Sequence, residues 1–158
     1  MFRDYGDTIW RIALNYTRNA ADADDVTQNA LLRCLGADRT FESEEHLRNW
    51  VIRVAINESK RWLTSPWHRL MTAACQPDEN LPQNAGLTPR QSALYTALLN
   101  LPQKYRLPLY LFYYEDCTTA QIAETLGISV SGVTTRLARG RSQLKKDLKG
   151  AFDDDGRI

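Results

Sequence analysis

The chain has 158 residues, of which 43% are hydrophobic and 25% are charged, with a formal net charge of +1. This length has room for one medium domain or two small ones, and the composition is ordinary for a soluble globular protein. No uninterrupted apolar run approaches membrane-spanning length, and residues 1–5 do not resemble a signal peptide, so we expect a cytoplasmic protein without membrane insertion.

Residues 1–18 and the segment that follows predict two helices. Apolar residues recur at helical spacing in the first segment, which indicates one buried face. The second helix is expected to begin near Ala21, with three aspartates in its first turn, where carboxylates favour the positive end of the helix dipole, and to end at Gly36. The apolar positions are Tyr5, Ile9, Ile12, Ala13 and Tyr16, then Val26, Ala30 and Cys34, and the aspartates are Asp22, Asp24 and Asp25.

A short loop, Gly36–Glu42, precedes a long third helix. Ser43 is predicted to cap this helix, and Pro66 to stop or redirect it. Its apolar face is predicted to carry Leu47, Trp50, Val51, Val54 and Ala55. Its opposite face carries Arg53, Asn57 and Arg61 at successive helical turns, with Lys60 beside them.

From Ser65 to Leu87 the helical pattern dissolves into prolines, glycine and polar residues. We therefore expect a flexible linker at 65–87 between helical domains at 1–64 and 88–150, and a disordered tail at 151–158. No strand pattern is apparent, so the expected fold class is all-α, with two small helical domains of which the C-terminal one is a helix-turn-helix domain.

The second domain is predicted to open with a capping box at Thr88–Gln91, with proline at the first helical position. Its first helix is expected to end near Asn100. A second helix starts at Leu101-Pro102, and Pro108 should kink it. The apolar residues of the two helices are Leu94, Ala97 and Leu98, then Tyr105, Leu109, Phe112 and Tyr113.

The segment Thr119–Leu137 has the pattern of a helix-turn-helix unit. Thr118 to Gln121 form a second capping box, and Gly127 supplies the positive φ that ends the first helix. Ala123 is small where the helices must approach, and Val133 and Leu137 lie four residues apart on one face of the second helix, towards Ile122 and Leu126. Such a unit lays its second helix in the DNA major groove. An ordinary helical hairpin is the alternative.

Charge is distributed unevenly along the chain. Residues 1–64 carry nine Lys and Arg against ten Asp and Glu, a net of −1. Residues 129–149 carry six Lys and Arg against Asp147 alone, a net of +5. A local excess of cations attracts a phosphate backbone in a salt-dependent way, so this segment predicts DNA binding, with a solvated basic face as the alternative.

Motifs in both halves carry a family resemblance. The N-terminal motifs are Asp22–Gln28 and Leu47–Asn57, and the C-terminal motifs are Leu101–Arg106, Tyr113–Glu115 and Gln121–Arg141. In this order and separation they cover essentially the whole chain. They resemble bacterial alternative RNA polymerase sigma factors of the extracytoplasmic-function (ECF) group.

The resemblance implies a dissociable subunit that binds core RNA polymerase and directs transcription initiation at specific promoters. It implies a region 2 domain at 1–64 that docks on the polymerase clamp and captures the −10 element. It implies a region 4 helix-turn-helix domain at 88–150 that reads the −35 element. The implied partners are core polymerase (clamp and flap), promoter DNA and an anti-sigma factor.

Site residues in the N-terminal domain follow from the same resemblance. Those expected at the clamp are Asp25, Gln28, Leu31, Leu32 and Arg33, with one of the two leucines in the core. The loop Gly36–Glu42 corresponds to the element that captures an unstacked −10 base. Phe41 would stack on that base while Asp38 and Arg39 pair with base edges, unless the loop is an ordinary surface turn. Further −10 contacts are expected from Arg48, Asn49, Arg53, Asn57, Lys60 and Arg61, with Trp50 in the core.

The recognition helix of the C-terminal domain is expected to run from about Ser129 to Lys146. Its predicted buried stripe is Val130, Val133, Leu137, Leu144 and Leu148, and its predicted DNA-facing side is Ser131, Thr134, Thr135, Ala138 and Arg139. Arg139 is the candidate for a bidentate guanine contact. The other cations, Arg136, Arg141 and Lys145, are candidates for phosphate contacts.

The chain departs from the family pattern at three positions. Thr134 stands where many relatives carry a basic residue, Arg61 where an acidic residue is common, and Asn29 where glutamate is common. Because of Thr134, the promoter sequence that relatives recognise cannot be assumed for this chain. The third leaves the details of clamp docking open.

A stand-alone helix-turn-helix regulator is the alternative, although the Asp22–Gln28 motif argues against it. An enzyme is disfavoured because no nucleophile–base pair, metal-ligand set or phosphate loop is apparent, so neither cofactor nor metal is expected. The cysteines, Cys34, Cys75 and Cys117, are expected to be reduced, with Cys75 as the one candidate redox site.

Overall fold

The structure, a computed structural model, describes residues 5–66 and 89–149, with residues 89–92 and 95 described by their backbone alone. The described residues form seven α-helices and no strand, which confirms the predicted all-α class. Two compact units, Met1–Leu81 and Pro82–Ile158, divide the chain. The tail at 151–158, the linker beyond Pro66, and with them Thr88 and Cys75, lie outside the described residues, so those predictions stay open.

Three helices build the N-terminal unit: α1 (Gly6–Thr17), α2 (Ala20–Gly36) and α3 (Glu44–Thr64). Each packs on the other two. The core consists of completely buried side chains from all three helices, among them Ile9, Ile12, Ala23, Ala30, Val51 and Ile56. Burial of apolar surface of this kind is the main driving force for a small helical unit.

The ends of these helices follow local sequence rules. Ser43 caps α3 by accepting a hydrogen bond from the His46 N–H at 3.1 Å, as predicted. Ser65 is extended (ψ 143°), as expected for a residue before proline, so α3 ends ahead of Pro66. A cap that the sequence analysis missed is Asn19, whose side chain accepts from the Asp22 N–H at 3.0 Å.

Two N-terminal predictions need correction. The Asn19 cap starts α2 at Ala20, so that of the three aspartates only Asp22 lies in the first turn. The buried face of α3 is rotated from the predicted one, because Ile52 and Ile56 are buried whereas Trp50 and Val54 are only partly covered. Since α3 packs against both α1 and α2, its buried face is broader than a single stripe.

Four helices build the C-terminal unit: α4 (Pro89–Asn100), α5 (Gln103–Tyr113), α6 (Thr119–Leu126) and α7 (Val130–Leu148). Helix α7 packs against each of the other three. Gly140 permits its close approach to α5, since an added Cβ would lie 2.7 Å from the Leu109 Cδ1. Buried Arg106 joins the start of α5 to the end of α4 by donating to the carbonyl oxygens of Leu99 (2.8 Å) and Leu101 (3.0 Å).

The helix-turn-helix geometry is formed by α6, a glycine turn and α7. Thr118 and Gln121 make the predicted capping box, and Gly127 ends α6 at φ +68°. Of the predicted buried stripe of α7, Val133, Leu137, Leu144 and Leu148 are buried. The prediction for Val130 was wrong: it is 48% exposed, because it is the first residue of α7 and projects beyond the packed part of the helix.

Within the described residues, no helix is both long and apolar enough to cross a membrane.

Candidate nucleic-acid interface

Helix α7 separates a buried side from a side that is open to solvent. The side that faces the core includes Val133 and Leu137, which are at most 1% exposed. The predicted −35 contacts are exposed at Ser131, Thr134, Thr135, Ala138, Arg139, Arg141 and Lys145, and half-buried at Arg136. The side of the helix that carries these residues is therefore accessible to a groove of DNA.

The hydroxyl groups at the start of α7 are partly engaged within the helix. Ser129 caps it by accepting from the Gly132 N–H at 3.0 Å, and its Oγ lies 3.2 Å from that of Ser131. The Thr134 hydroxyl donates to the Val130 carbonyl oxygen at 3.1 Å. A hydroxyl has one donor hydrogen and two lone pairs, so Thr134 offers a ligand its acceptor side.

Arg139 acts electrostatically on a neighbouring helix. Its positive charge and that of Lys104, whose Nζ lies 5.0 Å from the ring centroid of Tyr105 on α5, both fall on the Tyr105 phenol. Desolvation opposes ionisation of this phenol, but the nearby Arg139 and Lys104 cations outweigh it and lower the pKa of Tyr105. Two cations thus converge on one tyrosine next to the exposed side of α7.

Arg141 lies against protein rather than standing free. Its Nε donates to the Leu137 carbonyl oxygen at 3.3 Å, and its guanidinium carbon is 6.0 Å from the ring centroid of Tyr113. It lines an apolar cleft of about 170 Å³ together with Tyr113 and Tyr114, which are each about half exposed. The predicted role of Arg141 as a phosphate contact therefore has less structural support than that of the exposed Lys145.

In the N-terminal unit, the loop between α2 and α3 brings aromatic and cationic side chains together. The half-buried Phe41 ring lies 5.2 Å from the Trp50 ring, and the Arg39 guanidinium carbon lies 5.8 Å from the Trp50 centroid. Asp38 is exposed. Trp50, which the sequence placed in the core, is instead the partly covered ring on which two of the predicted base-contacting residues rest.

The exposed side of α3 continues from this loop. Its predicted DNA contacts are exposed at Arg53, Asn57, Lys60 and Arg61, and half-buried at Arg48 and Asn49. Arg61 has a partner within the helix, because its Nη1 lies 3.6 Å from the carboxylate of Glu58. Loop and helix thus expose basic and polar side chains alongside the exposed acids Asp38, Glu42, Glu44 and Glu45.

Comparison with known families decides the identity of the fold. Sigma-70 region 2 matches residues 1–69, and sigma-70 region 4 matches residues 91–144. The ECF sigma factor SigW of Bacillus subtilis is 28% identical over 159 residues, which cover 92% of this chain and 85% of SigW. The chain belongs to the ECF group of the sigma-70 family.

Other relatives of this sigma factor agree. The ECF sigma factor SigL of Mycobacterium tuberculosis is 28% identical over 144 residues, which cover 87% of this chain and 80% of SigL. The probable RNA polymerase sigma factor RfaY of Xanthomonas campestris is 28% identical over 156 residues. That match covers 93% of this chain but only 39% of the longer RfaY.

Two solved structures share the fold. The sigma factor RpoE of Bartonella quintana, in complex with the anti-sigma factor NepR, superposes with a TM-score of 0.79 at 16% identity, over 94% of both chains. CnrH, in complex with the cytosolic domain of CnrY, gives a TM-score of 0.60 at 22% identity, over 94% of this chain and 85% of CnrH. At these identities the similarity supports the fold alone.

The sigma factor presents its predicted clamp contacts on α2. They are exposed at Asp25, Gln28, Leu32 and Arg33, and half-buried at Leu31. Neither leucine is fully in the core, and Leu32 is 67% exposed. Leu35, which the sequence analysis missed, is 68% exposed one helical turn further on. Its spacing from Leu32 was the available signal, since residues three apart share a helix face.

Three other residues near the predicted contacts were not assigned from the sequence. Glu58 and Tyr105 lie beside Arg33 and Arg139, respectively, each of which belongs to another helix. No short motif links these two pairs, and only the folded chain brings them together. His46 accepts from the Glu42 N–H four residues earlier, and its position three residues after the Ser43 cap was the available signal.

Proposed function

We propose that this sigma factor binds core RNA polymerase and directs it to promoters that carry a −10 and a −35 element. One observation supports this most: an accessible recognition helix in the region 4 unit coexists with a region 2 loop in which an aromatic side chain, Phe41, and a cationic one, Arg39, both lie against Trp50. Duplex recognition needs the first, and capture of an unstacked base needs the second. A stand-alone regulator of duplex DNA needs only the first.

On this proposal, the exposed side of α7 enters the major groove of the −35 element. Arg139 would contact a guanine, and Lys145 and Arg136 would contact phosphates, which position the helix without specifying sequence. Thr134 and Ala138 add no charge to this face. Sequence preference would then depend on Arg139 more than on a row of basic side chains.

In region 2, the loop between α2 and α3 would take one base of the −10 non-template strand. Phe41 offers a ring for stacking, and Arg39 and Asp38 offer donors and acceptors for base edges. The exposed Arg53, Asn57 and Lys60 would contact the strand beside it. On α2, Leu32 and Leu35 would be the apolar anchors on the clamp, with Asp25 and Gln28 fixing the register.

The decisive experiment combines the purified chain, core polymerase and a promoter library. Initiation at a discrete set of start sites, each preceded by shared −35 and −10 motifs, is the expected result. Lack of binding to core polymerase, together with tight unaided binding to duplex DNA, would contradict the proposal and favour a stand-alone regulator. Start-site mapping after induction in cells would yield both motifs together.

The remaining expectations belong to the same proposal. RpoE was solved with the anti-sigma factor NepR, and CnrH with the cytosolic domain of CnrY, so we propose that an anti-sigma factor holds the present chain inactive. We further propose that the protein acts in the cytoplasm and has no catalytic activity, cofactor or metal of its own. Binding of a labelled chain to core polymerase, with and without the candidate inhibitor, tests whether an anti-sigma factor holds the chain inactive.

A further inference from the structure

His46 links the start of α3 to the loop that precedes it. The His46 N–H donates to the Ser43 hydroxyl at 3.1 Å, and in return the Nδ1 of His46 accepts from the Glu42 N–H at 3.3 Å. This reciprocal pattern resembles a capping box, in which glutamate or glutamine at the third helical position bonds back to the chain before the helix. Here an imidazole takes that place.

The same imidazole is part of the ring cluster of the loop. The Phe41 ring meets the His46 ring edge-on at 5.5 Å and the Trp50 ring at 5.2 Å, and Arg39 lies over the Trp50 ring. Because Phe41 directly precedes Glu42, the hydrogen bond to Nδ1 fixes the backbone beside Phe41. His46 thus restrains this residue through its ring and through the neighbouring peptide.

We propose that His46 is a positioning residue for −10 base selection. Its neutral imidazole holds the loop so that Phe41 and Arg39 present one geometry to the captured base. This inference rests on the proposed function of the loop. It goes beyond that function by assigning base selectivity to a residue that does not itself contact DNA.

The arrangement makes selectivity dependent on pH. Protonation converts Nδ1 from an acceptor into a donor, so the Glu42 N–H would face another N–H. Histidine side chains generally change charge between about pH 5 and 8. The charged groups beside His46 in the loop and in the first turns of α3 are Glu42, Glu44, Glu45, Arg48 and, across Trp50, Arg39. Protonation of His46 therefore removes the acceptor that holds the Glu42 N–H.

Two substitutions separate the acceptor from the ring. His46→Gln keeps a side-chain acceptor that does not titrate, whereas His46→Phe keeps an aromatic ring and removes the acceptor. His68→Gln is the matched control, since it removes the only other histidine of the chain. Each full-length variant would be assayed with core polymerase at pH 8 and pH 6, on promoters that differ by one base in the −10 or the −35 element.

For the wild type and His68→Gln, discrimination among −10 bases should fall roughly two- to tenfold between pH 8 and pH 6, the effect of losing one hydrogen bond. Discrimination at −35 should not change. His46→Gln should discriminate equally at both pH values, and His46→Phe should discriminate poorly at both. The inference is overturned if the wild type and His46→Gln share one pH profile, or if His46→Phe selects −10 bases normally. Absence of initiation by the wild type at either pH would instead contradict the proposed function.

Discussion

The Arg33 guanidinium on α2 forms an ion pair with the carboxylate of Glu58 on α3, and Glu58 is only 7% exposed. Arg61 approaches the same carboxylate oxygen from its own helix at 3.6 Å. Region 2 therefore joins the helix predicted to meet polymerase to the helix predicted to meet DNA through one buried acid. The sequence analysis assigned both arginines to partners outside the chain, whereas each has a partner within it.

Arg33→Ala should destabilise the protein more than Arg61→Ala. Removing Arg33 leaves a buried carboxylate with only the longer contact to Arg61, and we expect a loss of about 1–2 kcal/mol in the free energy of unfolding, because Arg33 is half exposed and partly screened by water. Removing Arg61 breaks an exposed pair within one helix, which is worth about 0.2–0.5 kcal/mol. Urea unfolding of both variants measures the difference. Equal losses would show that Glu58 does not depend on Arg33.

Gly140→Ala should destabilise the C-terminal unit. An added Cβ would lie 2.7 Å from the Leu109 Cδ1 and 3.2 Å from the Tyr105 Cβ, so α5 and α7 must separate or Leu109 must leave its rotamer. Overpacking costs about 1–3 kcal/mol, which exceeds the gain of about 1 kcal/mol in helix propensity. Gly36→Ala is the control, since its added Cβ meets nothing within 4 Å. A higher melting temperature for Gly140→Ala than for the wild type would refute the close contact.

The buried Cys34 thiol should resist alkylation in the folded protein. Desolvation raises the pKa of Cys34 from 9.0 to about 11, so at pH 8 almost no nucleophilic thiolate is present. Peptide mapping after treatment with iodoacetamide should find Cys34 unmodified in buffer and modified in urea. Rapid modification of the native protein would contradict this burial.

The same pKa shift predicts a loss of stability in alkali. Above pH 9 the unfolded chain releases the Cys34 proton, whereas the folded chain keeps it until about pH 11. The folded state therefore binds more protons in this window, and the contribution of Cys34 to stability is lost as pH rises from 9 through 11. Other groups titrate in the same range, so the comparison is with Cys34→Ala. The stability advantage of the wild type over this variant should narrow between pH 8 and pH 11.

Local rules predicted much of this fold. The caps at Ser43 and Thr118 and the glycine turn at Gly127 involve residues no more than four apart, and all three are present in the structure. The predicted apolar stripe of α7 is buried wherever this helix packs against its neighbours. The prediction that Val130 is buried was wrong because it extended the stripe to the first residue of the helix, whereas the packing begins one turn later.

The long-range features could not be predicted in this way. Helix α3 contacts two helices, so a single apolar face inferred from residue spacing could not show that Ile52 and Ile56 are also buried. From the sequence, Glu58 cannot be distinguished from an exposed surface acid, because its burial depends on the packing of α2 against α3. Candidate site residues such as Thr135 and Lys60 could be identified as exposed, because polar positions on a patterned helix face solvent. The intrachain partner of Arg33 and Arg61, Glu58, could not.

The proximity of the Arg139 guanidinium to the Tyr105 phenol predicts a graded effect on −35 recognition. Arg139→Ala should cost roughly 1–3 kcal/mol at one promoter position, because a bidentate guanine contact is specific to one base pair. Tyr105→Phe keeps the Cβ that lies close to Gly140 but removes the phenol oxygen beside the guanidinium, so it should weaken discrimination at that same position by a smaller amount. Lys145→Ala should weaken all −35 variants alike, since phosphate contacts carry no sequence information.

Binding of the polymerase complex to a set of single-base −35 variants measures these effects. Tyr105→Phe and Arg139→Ala must lose discrimination at a shared position if the tyrosine acts through the arginine. A uniform loss in both would reassign Arg139 to the phosphate backbone. A double variant that loses no more discrimination than Arg139→Ala alone would show that Tyr105 contributes through Arg139, because residues that act as a unit are not additive.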